Sequence, residues 1–388
     1  MAINIQNLLS AATAKIGVAA VDAADSARLA SLTNFVNNHR NTQTFASFAS
    51  LPTADSSNFG QIVRVAADSA GTYLDSGSTF YVSYVNQWKQ VLFSGDSDVT
   101  VGQFAPAFQG RNFGYTSGGS SPNETNVIEK FSFTADANAT DVGDLTLART
   151  LPSGQSSSES GYTSGGSPNT NIIDKFPFSS DGNATDVGDL TGSKSGLTGQ
   201  SSRTNGYASG GIGITAIDKF PFSSDANASN IGNLTAGRFT AAGQSSTDNG
   251  YTSGGSAPGN SNIIDKFSFT SDAGASDVGD LTVGRYRVAG QSSSESGYTS
   301  GGTPSGVNII DKFPFASDAN ATDVGDLFTG LERHAGQSST TYGYTSGGVE
   351  PPSTRLSSIY KFPFVSDGNA VDGADLTEAK SYLTGQQY

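Results

Sequence analysis

GYTSGGSPNTNIIDKFPFSSDGNATDVGDLTGSKSGLTGQSS, residues 161–202, is one copy of a unit that fills most of the chain. Its opening hexapeptide, Gly-Tyr-(Thr/Ala)-Ser-Gly-Gly, recurs at Gly114, Gly161, Gly206, Gly250, Gly297 and Gly343, so successive copies lie 47, 45, 44, 47 and 46 residues apart. Periods of about 20–50 residues belong to solenoids, propellers and arrays, in which each unit buries its apolar surface only against a neighbour. Four short strands can be read in the copy. Gly161–Gly166 is one. Asn171–Phe178 is the second, with β-branched and aromatic residues on both faces, as a strand covered on both sides requires. Asp181-Gly-Asn183 supplies turn chemistry, Ala184–Thr191 is the third strand, and Leu197–Ser202 is the fourth. This last strand carries almost only small residues, which suits the crowded axis of a propeller.

The reading frame decides closure. From Asp144, Asp189, Asn233, Asp280, Asp326 and Asp375 a Gln follows after eleven residues every time, ending at Gln386. The chain therefore finishes on a sixth small-residue strand. Each blade borrows its inner strand from the preceding repeat, and Tyr382–Gln387 is expected to close the ring beside Asn112–Gly118, leaving no open sheet edge.

Composition narrows the function. Among 388 residues, 35% are hydrophobic and 48 are glycine, enough for a packed core, while only 14% are charged, against about 25% in ordinary domains. The net charge is −14 and the basic residues are scattered singly, so no nucleic-acid partner is expected. There is no cysteine, which excludes disulfides and Cys-based metal sites, and the two histidines, His39 and His334, are far apart in sequence. No stretch approaches 18 apolar residues and the first ten lack a signal pattern, so neither membrane insertion nor ordinary secretion is expected.

The N-terminal hundred residues have another grammar. Leu8, Leu9, Ala12, Ile16 and Ala19, then Leu29, Leu32, Phe35 and Val36, follow helical spacing and predict a short helical anchoring segment over 1–44. A small β module is expected over 45–100, with strands over 60–66, 72–74, 78–85 and 88–93 and Trp88 as a core anchor. The propeller takes 101–388. The expected fold class is thus mainly β, a six-bladed propeller preceded by a helical segment and a β module.

The double glycine, the Ile-Ile-Asp-Lys-Phe-Pro-Phe strand and the Asp-Asn turn resemble the blades of kelch-type propellers, except that the Trp usual in the last kelch strand is missing from the array. The near-identical copies are also similar to kelch-like repeats of marine bacteriophage structural proteins, those of tail fibres and other virion appendages. Leu51-Pro52-Thr53, Gly60-Gln61, Tyr81-Val82 and Asn86-Gln87-Trp88 resemble the small β modules near the bases of phage fibres. The resemblance implies a non-enzymatic virion protein, located in the tail or a capsid appendage. It would contact other virion proteins through residues 1–100 and bind a host-surface glycan or protein; whether it forms a homo-oligomer stays open, because neither the heptads nor the triple-β repeats of trimeric fibres are visible. The alternative it implies is a capsid or tail decoration protein with a purely structural role.

Several residue patterns bear on chemistry. Asp136, Asn138 and Asp141, repeated in later copies, are open to two readings: oxygen ligands for Ca²⁺, or side chains selected by a hairpin turn. The spacing is not an EF-hand loop, and no cofactor is otherwise indicated. The turns lack the sialidase Asp-box pattern, and the singular acids Glu332 and Glu350 show no partner, so no enzyme is expected. A recurring acid–Lys dipeptide, from Glu129-Lys130 to Asp311-Lys312, predicts a ring in which the Lys of one blade meets the acid of the next. His334 reads as a surface residue. Length varies in one connection only, between the double glycine and the Ile preceding the acid–Lys pair, where the interval runs 9, 7, 6, 9, 8 and 11 residues. Such insertions mark one face of a ring, often the binding face. Asn123, Asn169, Asn260, Pro304, Glu350 and Arg355, all in these connections, are the candidate partner-binding residues.

Overall fold

The computed structural model describes residues 109–304 and 306–388, together with the strands β1 (Gln43–Phe45), β2 (Ile62–Val65), β3 (Thr79–Tyr84) and β4 (Gln87–Val91). The chain divides into two compact units, residues 1–104 and 105–388. In the first, β1 pairs parallel to β2, and β2, β3 and β4 follow antiparallel in one sheet. The first strand starts at Gln43, inside the stretch expected to be helical. The rest of that helical segment, the expected strand over 72–74 and the side chain of Trp88 lie outside the described residues.

The second unit is a six-bladed β-propeller. After β5 (Phe113–Ser117), β6 (Val127–Ser132) and β7 (Thr140–Asp144), the next blade is the antiparallel sheet β8 (Ser153–Ser156), β9 (Ser160–Ser164), β10 (Ile172–Pro177) and β11 (Thr185–Asp189), and this order repeats in each later blade. The C-terminal strand Thr384–Gln387 pairs antiparallel with β5, Thr384 opposite Ser117 and Gln386 opposite Tyr115, so the expected closure is the one found. Every blade has the same β-bulge between its third and fourth strands, at Ile173/Asp174 in β10.

Small residues recur because the backbones leave no room for larger ones. The inner strands touch one another in a closed ring, and a Cβ at Gly199 would overlap the Gly154 carbonyl, as it would between every adjacent pair around the axis. In the second strand the glycine of Gly-Tyr lies under the Phe ring of the third strand, Gly161 under Phe176. The tyrosine beside it packs outward against the next blade: Tyr162 stacks on Phe222 at 4.8 Å and Tyr207 on Phe269 at 4.7 Å. These aromatic pairs, with Ile173 and Leu190 and their equivalents, form six hydrophobic clusters, one between each pair of blades.

The invariant Gln serves as an interblade clip. Gln155 Nε2 donates to the Tyr207 carbonyl at 2.9 Å, and Gln200, Gln244, Gln291, Gln337 and Gln386 repeat the bond to the next blade all the way round. A buried amide left without this acceptor would carry a desolvation cost of about 1–3 kcal/mol.

The acid–Lys dipeptide works differently from the expectation. The lysines do form a ring, but with the aspartates of the turns: Lys130 with Asp181 (2.5 Å), Lys175 with Asp225, Lys219 with Asp272, Lys266 with Asp318, Lys312 with Asp367, and Lys361 back to Asp136. The acid beside five of these lysines, all but Lys361, faces the opposite side of the strand and is fully buried. Asp174 accepts hydrogen bonds from Thr146 N, Thr146 Oγ1 and Arg149 Nη2, the last at 2.8 Å. Equivalent triads join Thr191, Asp218 and Lys194, then Thr235, Asp265 and Arg238, then Thr282, Asp311 and Arg285, and finally Thr377, Glu129 and Lys380 across the closure. Burial pushes the Arg149, Arg238 and Arg285 guanidiniums below their ordinary pKa, against the pull of their aspartates. At the remaining interface all three members change together, to Phe328, Tyr360 and Leu331. Leu331 is fully buried and Phe328 stacks on Tyr360 at 5.7 Å.

Candidate functional site

The two ends of the channel differ. At one end lie the turns between first and second strands and the Asp-Asn turns, and there Gln109 reaches across to the Ser292 and Ser339 carbonyls. At the other end the connection entering each blade pairs with the length-variable connection of the same blade, through Thr150–Ser167, Phe239–Ser256, Tyr286–Thr303, Glu332–Val349 and Ser381–Ser120 in five blades and through Ile212 N to Ser195 O in the sixth. All the length variation therefore gathers on one face, around one channel mouth. The longest connection adds a small hairpin, Val349–Glu350 against Thr354–Arg355.

The rim of that mouth is built from the seventh residue after each fixed Asp or Asn: Leu151, Gly196, Thr240, Arg287, Arg333 and Tyr382. All six hold a left-handed backbone, with φ between 51° and 70°. In a residue with a Cβ that conformation costs about 1–2 kcal/mol. A closed circle of hydrogen bonds holds it. Gly196 N donates to Leu151 O (3.0 Å), Thr240 N to Gly196 O, Arg287 N to Thr240 O, Arg333 N to Arg287 O, Tyr382 N to Arg333 O, and Leu151 N to Tyr382 O. Strain of this kind collects at functional sites, and here it turns five side chains, all but that of Gly196, onto one rim.

The rim is polarised. Two consecutive connections contribute only Thr150, Leu151, Ser195 and Gly196, whereas the other four bring Phe239, Tyr286, Arg287, Glu332, Arg333 and Tyr382. Glu332 joins the two arginines, its Oε2 lying 3.2 Å from Arg287 Nη1 and its Oε1 3.2 Å from Arg333 Nε. Each guanidinium also lies over an aromatic ring, Arg287 over Tyr286 at 5.0 Å and Arg333 over Tyr382 at 4.9 Å. Inside the rim is a cavity of about 120 Å³. Arg287, Arg333, His334 and Tyr382 are among its lining residues, and no carboxylate is.

His334 departs from the sequence reading. It is buried, not a surface residue, and fills a position held elsewhere by Pro152, Leu197, Ala241, Val288 and Leu383. Its Nε2 lies 3.4 Å from Ser300 Oγ, and burial pushes its pKa down to about 3.

The sequence candidates sit on the same face but outside the rim. Asn123, Asn169, Asn260, Pro304 and Arg355 are exposed, and none lines the cavity. Glu350 is half-buried and accepts from Thr329 Oγ1, while Arg355 Nε donates to Ser381 Oγ. The oxygens of the Asp turn do not converge. Asp136 pairs with Lys361, Asn138 Oδ1 accepts from Asp375 N, and Asp141 Oδ1 accepts from Gly143 N two residues on. Among the described residues no group of three His, Cys, Asp or Glu side chains is placed to hold a metal. What the sequence reading missed is the rim. Its signal lay in a fixed-length connection, where ARTLP, SKSGL, GRFTA, GRYRV, GLERH and AKSYL diverge in residue type without diverging in length.

Fold and site together describe a β-propeller with a strained, polarised channel mouth. The solved structure of YjhT is similar in fold, with a TM-score of 0.52 over 62% of this chain and 88% of that chain, at 11% identity. No family model matches the chain, and neither does any curated protein.

Proposed function

We propose that this chain is a non-enzymatic virion protein of a bacteriophage whose propeller binds a host-surface ligand at the variable face. The observation that carries the binding reading is the confinement of all length variation, and of the aromatic and charged rim residues, to one end of an otherwise repetitive ring. A purely structural spacer gains nothing from that asymmetry. Phage origin rests on the kelch-like, near-identical repeats. Residues 1–100 would serve attachment to other virion proteins.

A non-catalytic role is supported by how the singular acids are engaged. Glu332 is held by two arginines, Glu350 is bonded to Thr329, and neither lines the cavity. A glycosidase needs two carboxyl groups facing the scissile bond.

The test is competition. Purified full-length chain should block adsorption of the phage to its host. Exchanging Val349–Ser357 for the short Ser167–Thr170 connection should weaken the block without lowering the melting temperature. If making all six connections alike leaves the block unchanged, the decoration reading replaces this one.

A further inference from the structure

We infer that the channel mouth is an anion subsite, taking the carboxylate or sulfate of an acidic sugar residue between Arg287 and Arg333. The inference rests on reading this face as the binding face and names the chemistry it recognises. Two guanidiniums and one carboxylate leave one net positive charge at the mouth of a chain whose total is −14. Two cations line the cavity and no acid does. A guanidinium carries five donors in a planar fork. Glu332 engages Nη1 of Arg287 and Nε of Arg333, and both side chains remain 26% exposed. The unspent donors are those available to a ligand oxyanion.

The arginines are also fixed before any ligand arrives. The left-handed backbone sets where each side chain starts, Glu332 ties the two heads together, and Tyr286 and Tyr382 support their faces. A preorganised fork loses less entropy on binding than a free surface arginine. The surrounding negative charge disfavours long polyanions at a distance, so a single acidic group on a largely neutral glycan is the fitting ligand.

Titration calorimetry on the full chain tests this, with glucuronate, glucose 6-sulfate, inorganic sulfate and glucose as probes. At least one charged sugar should bind tenfold or more tightly than glucose, and added salt should weaken it. The stronger of the two names the oxyanion. The double variant Arg287→Gln/Arg333→Gln should lose about 10–100-fold, the range expected for charge-assisted hydrogen bonds. Leu151→Arg adds a third guanidinium at a rim position whose backbone already suits arginine, and should tighten binding. It keeps the test decisive if the double variant fails to fold. Charged sugars binding no better than glucose would overturn the inference, as would a folded double variant that binds as the wild type does. Inorganic sulfate alone binding, with no sugar, would overturn the sugar assignment. Cell adsorption that survives in the double variant would refute the subsite while leaving the binding face intact. Acidic-sugar binding without any adsorption would do the reverse.

Discussion

Cutting one member out of a buried triad should be far worse than replacing the whole triad. Asp174 is fully buried and accepts three hydrogen bonds, two from Thr146 and one from Arg149. In Asp174→Ala, the Arg149 guanidinium keeps only the Thr163 carbonyl as a partner, and its Nε and Nη1 already lack one. An uncompensated buried charge costs about 3–5 kcal/mol. With an unfolding entropy of roughly 2.1 cal/mol/K per residue over residues 105–388, that lowers the melting temperature by about 5–8 °C. The triple variant Thr146→Phe/Arg149→Leu/Asp174→Tyr copies the set Phe328, Leu331 and Tyr360 that the protein already uses at one interface. Apolar replacement of a buried ion pair is often neutral or stabilising, so the triple variant should melt within about 3 °C of the wild type. Differential scanning calorimetry on the full chain decides. The reasoning fails if Asp174→Ala melts within 1 °C of the wild type, or if the triple variant melts as low as the single one.

Acid should destabilise the propeller partly through His334. Its folded pKa lies near 3 and its unfolded value near 6.5, so between those values the unfolded chain binds the extra proton and stability falls as pH falls. Going from pH 7.5 to 4.5, the wild type should lose about 2–3 kcal/mol more than His334→Leu in urea titrations; parallel losses would refute the burial. Deleting Tyr382–Tyr388 removes the inner strand of the closing blade and the Gln386 clip, and should cost solubility and a large part of the melting temperature; an unchanged melt would refute closure. The ring of Lys–Asp pairs is different. Its aspartates are 40–60% exposed, so Lys175→Ala should cost less than about 1 kcal/mol and less still in high salt. A loss of several kcal/mol would mean that the pair is not solvent-screened.

The repeat period, the blade strand order and the C-terminal closure were legible in the sequence because each is a matter of spacing. A Gln eleven residues after every Asp or Asn can only recur if the inner strands are equivalent, and a sixth occurrence at Gln386 can only be used by the first blade. The face carrying the variable connections followed from the same arithmetic. Partner choice did not. Lys175 stands beside Asp174, yet its partner is Asp225, fifty residues on, because adjacent strand residues point to opposite sides and meet different neighbours. Burial of His334 was equally hidden: the position is apolar in the other five copies, but only packing against the preceding blade, at Ser300 and Gly301, shows that a histidine there is cut off from water. The rim was hidden for a third reason. Left-handed backbone at Leu151, Thr240, Arg287, Arg333 and Tyr382 carries no glycine signature, since the closed circle of hydrogen bonds, a property of six blades together, is what holds those residues in it. Spacing is a local quantity that one chain displays end to end, whereas the polarity of the channel mouth exists only once residues from four separate connections are brought around one axis.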